Sequence, residues 1–359
     1  MDVQKHDLAT NKSKLGQVEL ADISDAAKDA LGGSELDNAY RTLYVSQDFA
    51  VGGAFYDDLG DAITYANTLA YNVLIQIYPG TYTGNYYLDP NVILYFMPET
   101  IGVASDKTIP FLNFTAGAKV YGHLNIEYVI TSGYAVSLER NCIFEASGCM
   151  LGSDAIVIND LGGSAIDIQI RVKELGHVNI IGLVGNAYIE SDKFSQLTFA
   201  GAYKCSVNCK LFEKNLTVSS GEVYLNTDRY FKETGTIFDI LGGVTVANGR
   251  VDNYADVTDS GTGDGHIAKI VSGTLKLHDF FAKNGGGGVI WGGALGVLVI
   301  ANSVLQAVVG GGGGSSDTVS GLVGFTVRYS GNTGINTATA GGITEQVITN
   351  KILDAAITI

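Results

Sequence analysis

Five carboxylates and two arginines in the first half of the chain have the residue types of polysaccharide chemistry. Glu127, Glu139, Glu145, Asp154 and Asp160 would stand on neighbouring rows of a repetitive β structure, with Arg140 or Arg171 near them. A glycoside hydrolase needs two carboxylates roughly 5 to 9 Å apart across the bond. Adjacent aspartates occur at Asp57-Asp58, ahead of a predicted helix, and at no later position. On an acidic β surface such groups serve first as solvated faces, so no residue is assigned a catalytic role.

The four cysteines are Cys142, Cys149, Cys205 and Cys209. A disulfide framework would need more of them in a much shorter chain. Cys205 and Cys209 have the spacing of a metal pair, but no histidine close in sequence completes a ligand set; His177 and His266 read as corner or surface residues. The thiols are expected to be reduced and in part buried, with no metal and no cofactor. The glycine runs lack the Lys-Ser/Thr of a phosphate loop. Tyrosine occurs 19 times, and Tyr82, Tyr86, Tyr87 and Tyr95 could either stack on sugar rings or pack half-buried between strands.

Composition frames the elements that must position these groups. Glycine is present 47 times and proline 4 times, and only 16% of residues are charged against 46% hydrophobic. That hydrophobic share argues against general disorder and for many short strands with glycine corners. The net charge is −15, from 37 acidic and 22 basic residues, which disfavours contact with nucleic acid. No run of about 18 apolar residues occurs, so no membrane insertion is expected. The first seven residues carry no apolar core, so no secretory signal is read there and the chain is expected to be made in a cytoplasm.

Residues 1–40 are expected to form an attachment segment, with a short helix over 23–31 ended by Gly32-Gly33. From Arg41 the pattern becomes strand-like. Asp61 to Leu69 reads as an amphipathic helix with Ala62, Ile63, Ala66 and Leu69 on one face. Val73 to Ile77 is a buried strand; Tyr86 to Leu88 and Val92 to Phe96 follow, separated by the turn Asp89-Pro90-Asn91. Further on, Ile166, Ile168 and Ile170 alternate with polar residues, as in a strand with one face buried. Asparagines at 141, 159, 179, 208, 226 and 248 are separated by 18, 20, 29, 18 and 22 residues, an approximate period suited to stacked rows. The hairpin signals Asn248-Gly249 and Asn284-Gly285 are few. Leu322 to Tyr329 reads as a late strand, and residues 310–359 as a Gly-rich linker and β cap.

The segment Tyr56 to Glu99 resembles the opening of the pectate-lyase-like β-helix superfamily: a helix, then a strand running through Tyr78-Pro79-Gly80-Thr81-Tyr82, then Val92-Ile93-Leu94. The resemblance implies an all-β fold, a right-handed single-stranded parallel β-helix (solenoid) over 41–309, with an N-terminal helical anchor segment and a small C-terminal cap. The weakly repetitive Gly/Asn/Ile rows look like tail-fibre and tailspike proteins of bacteriophages. They imply a structural virion protein (tail fibre, spike or head fibre): a rigid homotrimeric rod that joins other virion proteins through residues 1–40 and reaches a host cell-surface glycan. The alternative it carries is a polysaccharide lyase or glycoside hydrolase on the same scaffold.

Overall fold

The computed structural model describes residues 41–47, 55–105, 109, 111–115, 117–126, 136–138, 142–149, 156–159, 166–182, 185–231, 236–254, 266–284, 289–307, 318–331, 333–335, 344–347 and 351–353. The attachment segment expected over 1–40 lies outside them, as do both glycine runs. The chain divides into two compact units, Met1–Met150 and Leu151–Ile359.

The first unit contains β1 (Arg41–Val45), β2 (Phe55–Tyr56), helix α1 (Leu59–Asn67), β3 (Val73–Ile77), β4 (Gly80–Gly84), β5 (Tyr86–Leu88), β6 (Val92–Ala104), β7 (Leu112–Phe114), β8 (Lys119–Ile126), β9 (Val136–Leu138) and β10 (Ile143–Cys149). Its main ladder is parallel throughout: Val45 lies opposite Ile77, Ile77 opposite Phe96, Phe96 opposite Gly122, and Val120 opposite Phe144. All five residues of β3 are buried, Leu74 and Gln76 as well as Val73, Ile75 and Ile77. Burial on both faces explains an apolar run in place of alternation. The helix begins two residues before its predicted start. Asp58 caps it, accepting a 3.0 Å bond from the Asp61 amide; Ala62, Ile63 and Ala66 are buried as predicted, whereas the helix ends at Asn67 and leaves the predicted Leu69 beyond it, half-buried. Asn91, in the predicted turn, donates to the carbonyls of Ala66 and Leu69 at 3.0 and 2.9 Å and so satisfies the other helix end.

The second unit contains β11 (Ile156–Asn159), β12 (Ile166–Ile181), β13 (Gly185–Phe212), β14 (Leu216–Tyr230), β15 (Phe238–Ile240), β16 (Val244–Tyr254), β17 (Ala268–Asn284), β18 (Ile290–Ala301), β19 (Val304–Ala307), β20 (Val319–Gly321), β21 (Thr326–Ser330), β22 (Thr333–Ile335), β23 (Thr344–Val347) and β24 (Lys351–Leu353). Pairing is again parallel, with Ile170 opposite Ile189, Val207 opposite Leu225, and Leu225 opposite Ala247. Buried aromatic rings fill the interior. Phe194 meets Phe212 edge-on at 5.4 Å, Phe212 meets Tyr230 at 6.0 Å, and Tyr230 contacts Phe238 and Phe280 at 5.1 and 5.6 Å. The Tyr230 hydroxyl donates to the Asn248 carbonyl at 2.8 Å, which satisfies a polar atom held in an apolar core.

This topology corrects the sequence expectations. The predicted open, right-handed single-stranded β-helix is a stack in which each short strand meets only its neighbours on one face. Here β14 pairs with both β15 (Leu216 opposite Phe238) and β16 (Glu222 opposite Val244). Both of those pair with β17, through Phe238 opposite Ala268 and Val244 opposite Thr274. The four strands close into a parallel, barrel-type circuit with the remaining strands outside it. Strands of 28 residues in β13 and 17 in β17 also replace the predicted short segments, because the backbone carries its ladder around bends. The resemblance to the pectate-lyase-like superfamily is corrected accordingly. So is the tail-fibre, spike or head-fibre reading, together with its depolymerase alternative: both rest on one repetitive rod, whereas the chain forms two compact units.

Local differences have local causes. Asn248-Gly249 is not a hairpin turn; it lies inside β16, where the register against β14 shifts between Leu225 and Tyr230. The late strand covers only Thr326–Ser330, and Leu322 and Val323 stand exposed before it.

Candidate ligand-binding face

Inside each strand of the second unit, alternation sends Cys205, Val207 and Cys209 into the core and Lys204, Ser206, Asn208 and Lys210 outward. The row above is β14, where Glu222, Tyr224, Asn226 and Asp228 lie beside those four. The 185–192 arm of β13 supplies the row below. Its Asp192 carboxylate meets the Lys210 ammonium at 2.7 Å, a step of eighteen residues. The same step places Tyr188 beside Ser206, whereas a step of nineteen would set the exposed Tyr188 over the buried Val207. Below again, Arg171 of β12 lies opposite Glu190 and bonds it at 3.3 Å.

Charges alternate in sign from row to row. Lys173, Asp192, Lys210 and Asp228 form one column; Lys204 bridges to Glu222 at 3.7 Å in another. Lys210 holds the Asp192 carboxyl below the usual carboxylate range, and Asp192 in turn raises Lys210. Parallel in-register stacking would set like charges 4.8 Å apart, and alternation removes that repulsion. A face with four cations and four anions at these positions is locally neutral although the chain is strongly acidic.

Within this neutral surface Tyr188 and Tyr224 are 50% and 38% exposed and flank Ser206. The Tyr224 hydroxyl donates to Glu222 at 3.1 Å, and the Lys204 ammonium stands 5.6 Å from the centre of its ring. Asn226 donates to the Asn208 side-chain oxygen at 3.0 Å. A primary amide has two N–H donors and an acceptor oxygen, so this pair retains hydrogen-bonding capacity beyond the mutual bond. Aromatic rings beside amides can hold a ligand with an apolar face and a rim of hydroxyls.

The sequence-predicted groups are distributed differently. Of the carboxylates singled out, Glu145 is described and lies opposite Tyr121 on β8; Glu127, Glu139, Asp154, Asp160 and Arg140 lie outside the described residues. Arg171 is engaged with Glu190, and Asp58 caps a helix. Cys205 and Cys209 share the buried side of β13, where four residues of extended chain separate them by about 13 Å, too far for one metal ion. Burial raises both thiol pKa values, that of Cys209 to about 11. Among the described residues no cluster of three or more His, Cys, Asp or Glu has metal-binding proximity. His177 bonds the Thr198 hydroxyl at 2.9 Å; His266, read as a corner or surface residue, lies at the bend before β17 but is buried, beside Ser320.

Among the four tyrosines singled out, Tyr82 and Tyr86 are buried, Tyr95 is half-buried and Tyr87 is exposed. Tyr82 donates to the Tyr78 carbonyl at 2.9 Å, and Tyr86 packs edge-on against Phe111. The sequence reading missed Tyr188 and Tyr224. The available signal was a tyrosine at the outward parity, as in Ala187-Tyr188-Ile189 and Val223-Tyr224-Leu225.

Fold and face together define, among the described residues, a parallel β protein with a charge-neutral, tyrosine-bearing face on β12, β13 and β14. No protein-family model, curated protein or solved structure matches the chain. No helix among the described residues is long and apolar enough to cross a membrane.

Proposed function

We propose that this protein binds neutral carbohydrate without transforming it, on the outer face built by β12, β13 and β14. The observation that carries this reading is the pair of exposed tyrosines on either side of Ser206. Rows in a sheet lie about 4.8 Å apart, so the two ring-bearing positions are separated by about 9.6 Å with only a small hydroxymethyl between them. A pyranose entering that recess would rest its C–H face on one ring, and its hydroxyl groups would meet Asn208, Asn226 and Glu190. Charge alternation favours uncharged sugars over uronic or sialic acids, which the overall charge of −15 also repels.

Calorimetric titration with a panel of neutral and acidic oligosaccharides tests the proposal. A neutral glycan should bind, and Tyr188→Ala or Tyr224→Ala should each weaken it about tenfold, equivalent to about 1.4 kcal/mol. Ser206→Trp should block the recess. Absence of binding across the panel, or binding that ignores all three substitutions, would overturn this function.

A further inference from the structure

A second surface of the same unit lies where each row turns a corner. The five consecutive corners are Ser219-Ser220-Gly221, Leu241-Gly242-Gly243, Val271-Ser272-Gly273, Gly293-Ala294-Leu295-Gly296 and Leu322-Val323-Gly324. They stack: the Leu241 amide bonds the Val218 carbonyl, Ser272 donates from its hydroxyl to the Leu241 carbonyl, Ser272 lies opposite Leu295, and the Leu322 amide bonds the Gly292 carbonyl. Gly221, Gly243, Gly273 and Gly324 all have left-handed backbone, at φ of +72, +71, +85 and +103°. A Cβ at any of them would strike a backbone carbonyl of the row below, so only glycine permits this close stacking.

The resulting strip contains no charged residue in a chain of net charge −15. It also exposes Leu241, Val271, Leu295, Leu322 and Val323, with Leu295 at 79% and Val323 at 81%. Contiguous apolar exposure of this kind marks an interaction site. Copies of so acidic a chain repel one another over most of their surface, and a charge-free strip is where that repulsion is least.

We infer that this corner strip is the contact between copies of this chain, packed side by side with their strands parallel. The strip repeats at the row spacing, so two parallel copies present an exposed apolar residue to each other at the four corners that follow Ser219-Ser220-Gly221. Its exposure is concentrated at one end, in Leu295, Leu322 and Val323; the parallel arrangement sets those residues against their own counterparts. The homotrimer expected from the sequence would form through this contact, independently of any glycan site.

The test is the solution mass of the intact protein, by light scattering over a range of concentrations. The wild-type chain should exceed the monomer mass of 37.8 kDa, and Leu295→Asp with Val323→Asp should return it to that value. Val323→Cys should crosslink to itself under mild oxidation, which reads the contact in a chain whose core is unaltered. A wild-type mass of one monomer throughout, as expected if another protein or a lipid surface covers the strip, would overturn the inference. So would an oligomer that survives the double substitution. Loss of the oligomer in the double variant with no Val323→Cys crosslink would overturn the parallel arrangement.

Discussion

Asn226 donates its side-chain amide to the side-chain oxygen of Asn208 at 3.0 Å, across two rows whose backbones pair directly, eighteen residues apart in sequence. The bond is solvent-exposed, so its contribution to folding is modest. Its position beside Tyr224 gives it a second role in the proposed glycan site. Asn226→Leu should therefore change folding free energy by less than about 0.5 kcal/mol, while glycan affinity falls about tenfold. Chemical denaturation and calorimetric titration read the two effects separately.

The Lys173–Asp192–Lys210–Asp228 column makes a prediction about salt and pH. Lys210→Glu places an anion between two others and should lower the thermal midpoint at low ionic strength. The difference should shrink in about 1 M salt, where screening acts over about 3 Å. Because Asp192 is held below its unfolded pKa, the stability it supplies is present above that value. It is lost as pH falls through the folded-state value. The wild-type advantage over Lys210→Glu should therefore fade in acid; a difference independent of both salt and pH would contradict the column.

Cys209 leads to an alkaline effect of opposite sense. Burial raises its thiol to about 11, against about 8.5 in an unfolded chain. The unfolded state releases its proton first, so stability should decline as pH rises between those values. A disulfide reagent at pH 8 should modify Cys205 and Cys209 only as fast as the protein opens. Rapid modification of the native protein, mapped by mass spectrometry, would show that the inward side of β13 is accessible.

Asn248 stands where the β14–β16 ladder slips. Its side-chain oxygen accepts a 3.1 Å bond from the Thr227 amide, which the shifted backbone does not serve. Asn248→Ala should leave that amide unsatisfied and cost about 1–3 kcal/mol, measured by denaturant titration. Asn248→Asp, which keeps the acceptor, should lose less.

Much of the local structure was legible in the sequence. Period-two alternation marks the inward residues of the half-buried strands, as in Ile168 and Ile170 or Cys205 and Val207, since successive side chains of a strand point to opposite sides. The helix near residue 61 and the Asp89-Pro90-Asn91 turn were readable because capping and turn chemistry act over a few residues. The eighteen-residue separation of Asn208 and Asn226 was visible too, although not that the two side chains bond.

Tertiary structure alone decided the partners. Asn248-Gly249 suits a hairpin turn and a bulge equally well, because both need a residue in left-handed backbone; the long-range register against β14 selects the bulge. Closure of β14, β15, β16 and β17 into one circuit likewise depends on long strands bending so that their two ends pair with different neighbours, a choice made by contacts more than twenty residues apart. The same register determines the chemistry. It sets Tyr188 and Tyr224 on either side of Ser206 and pairs each charge with its opposite, whereas composition could only count tyrosines and carboxylates.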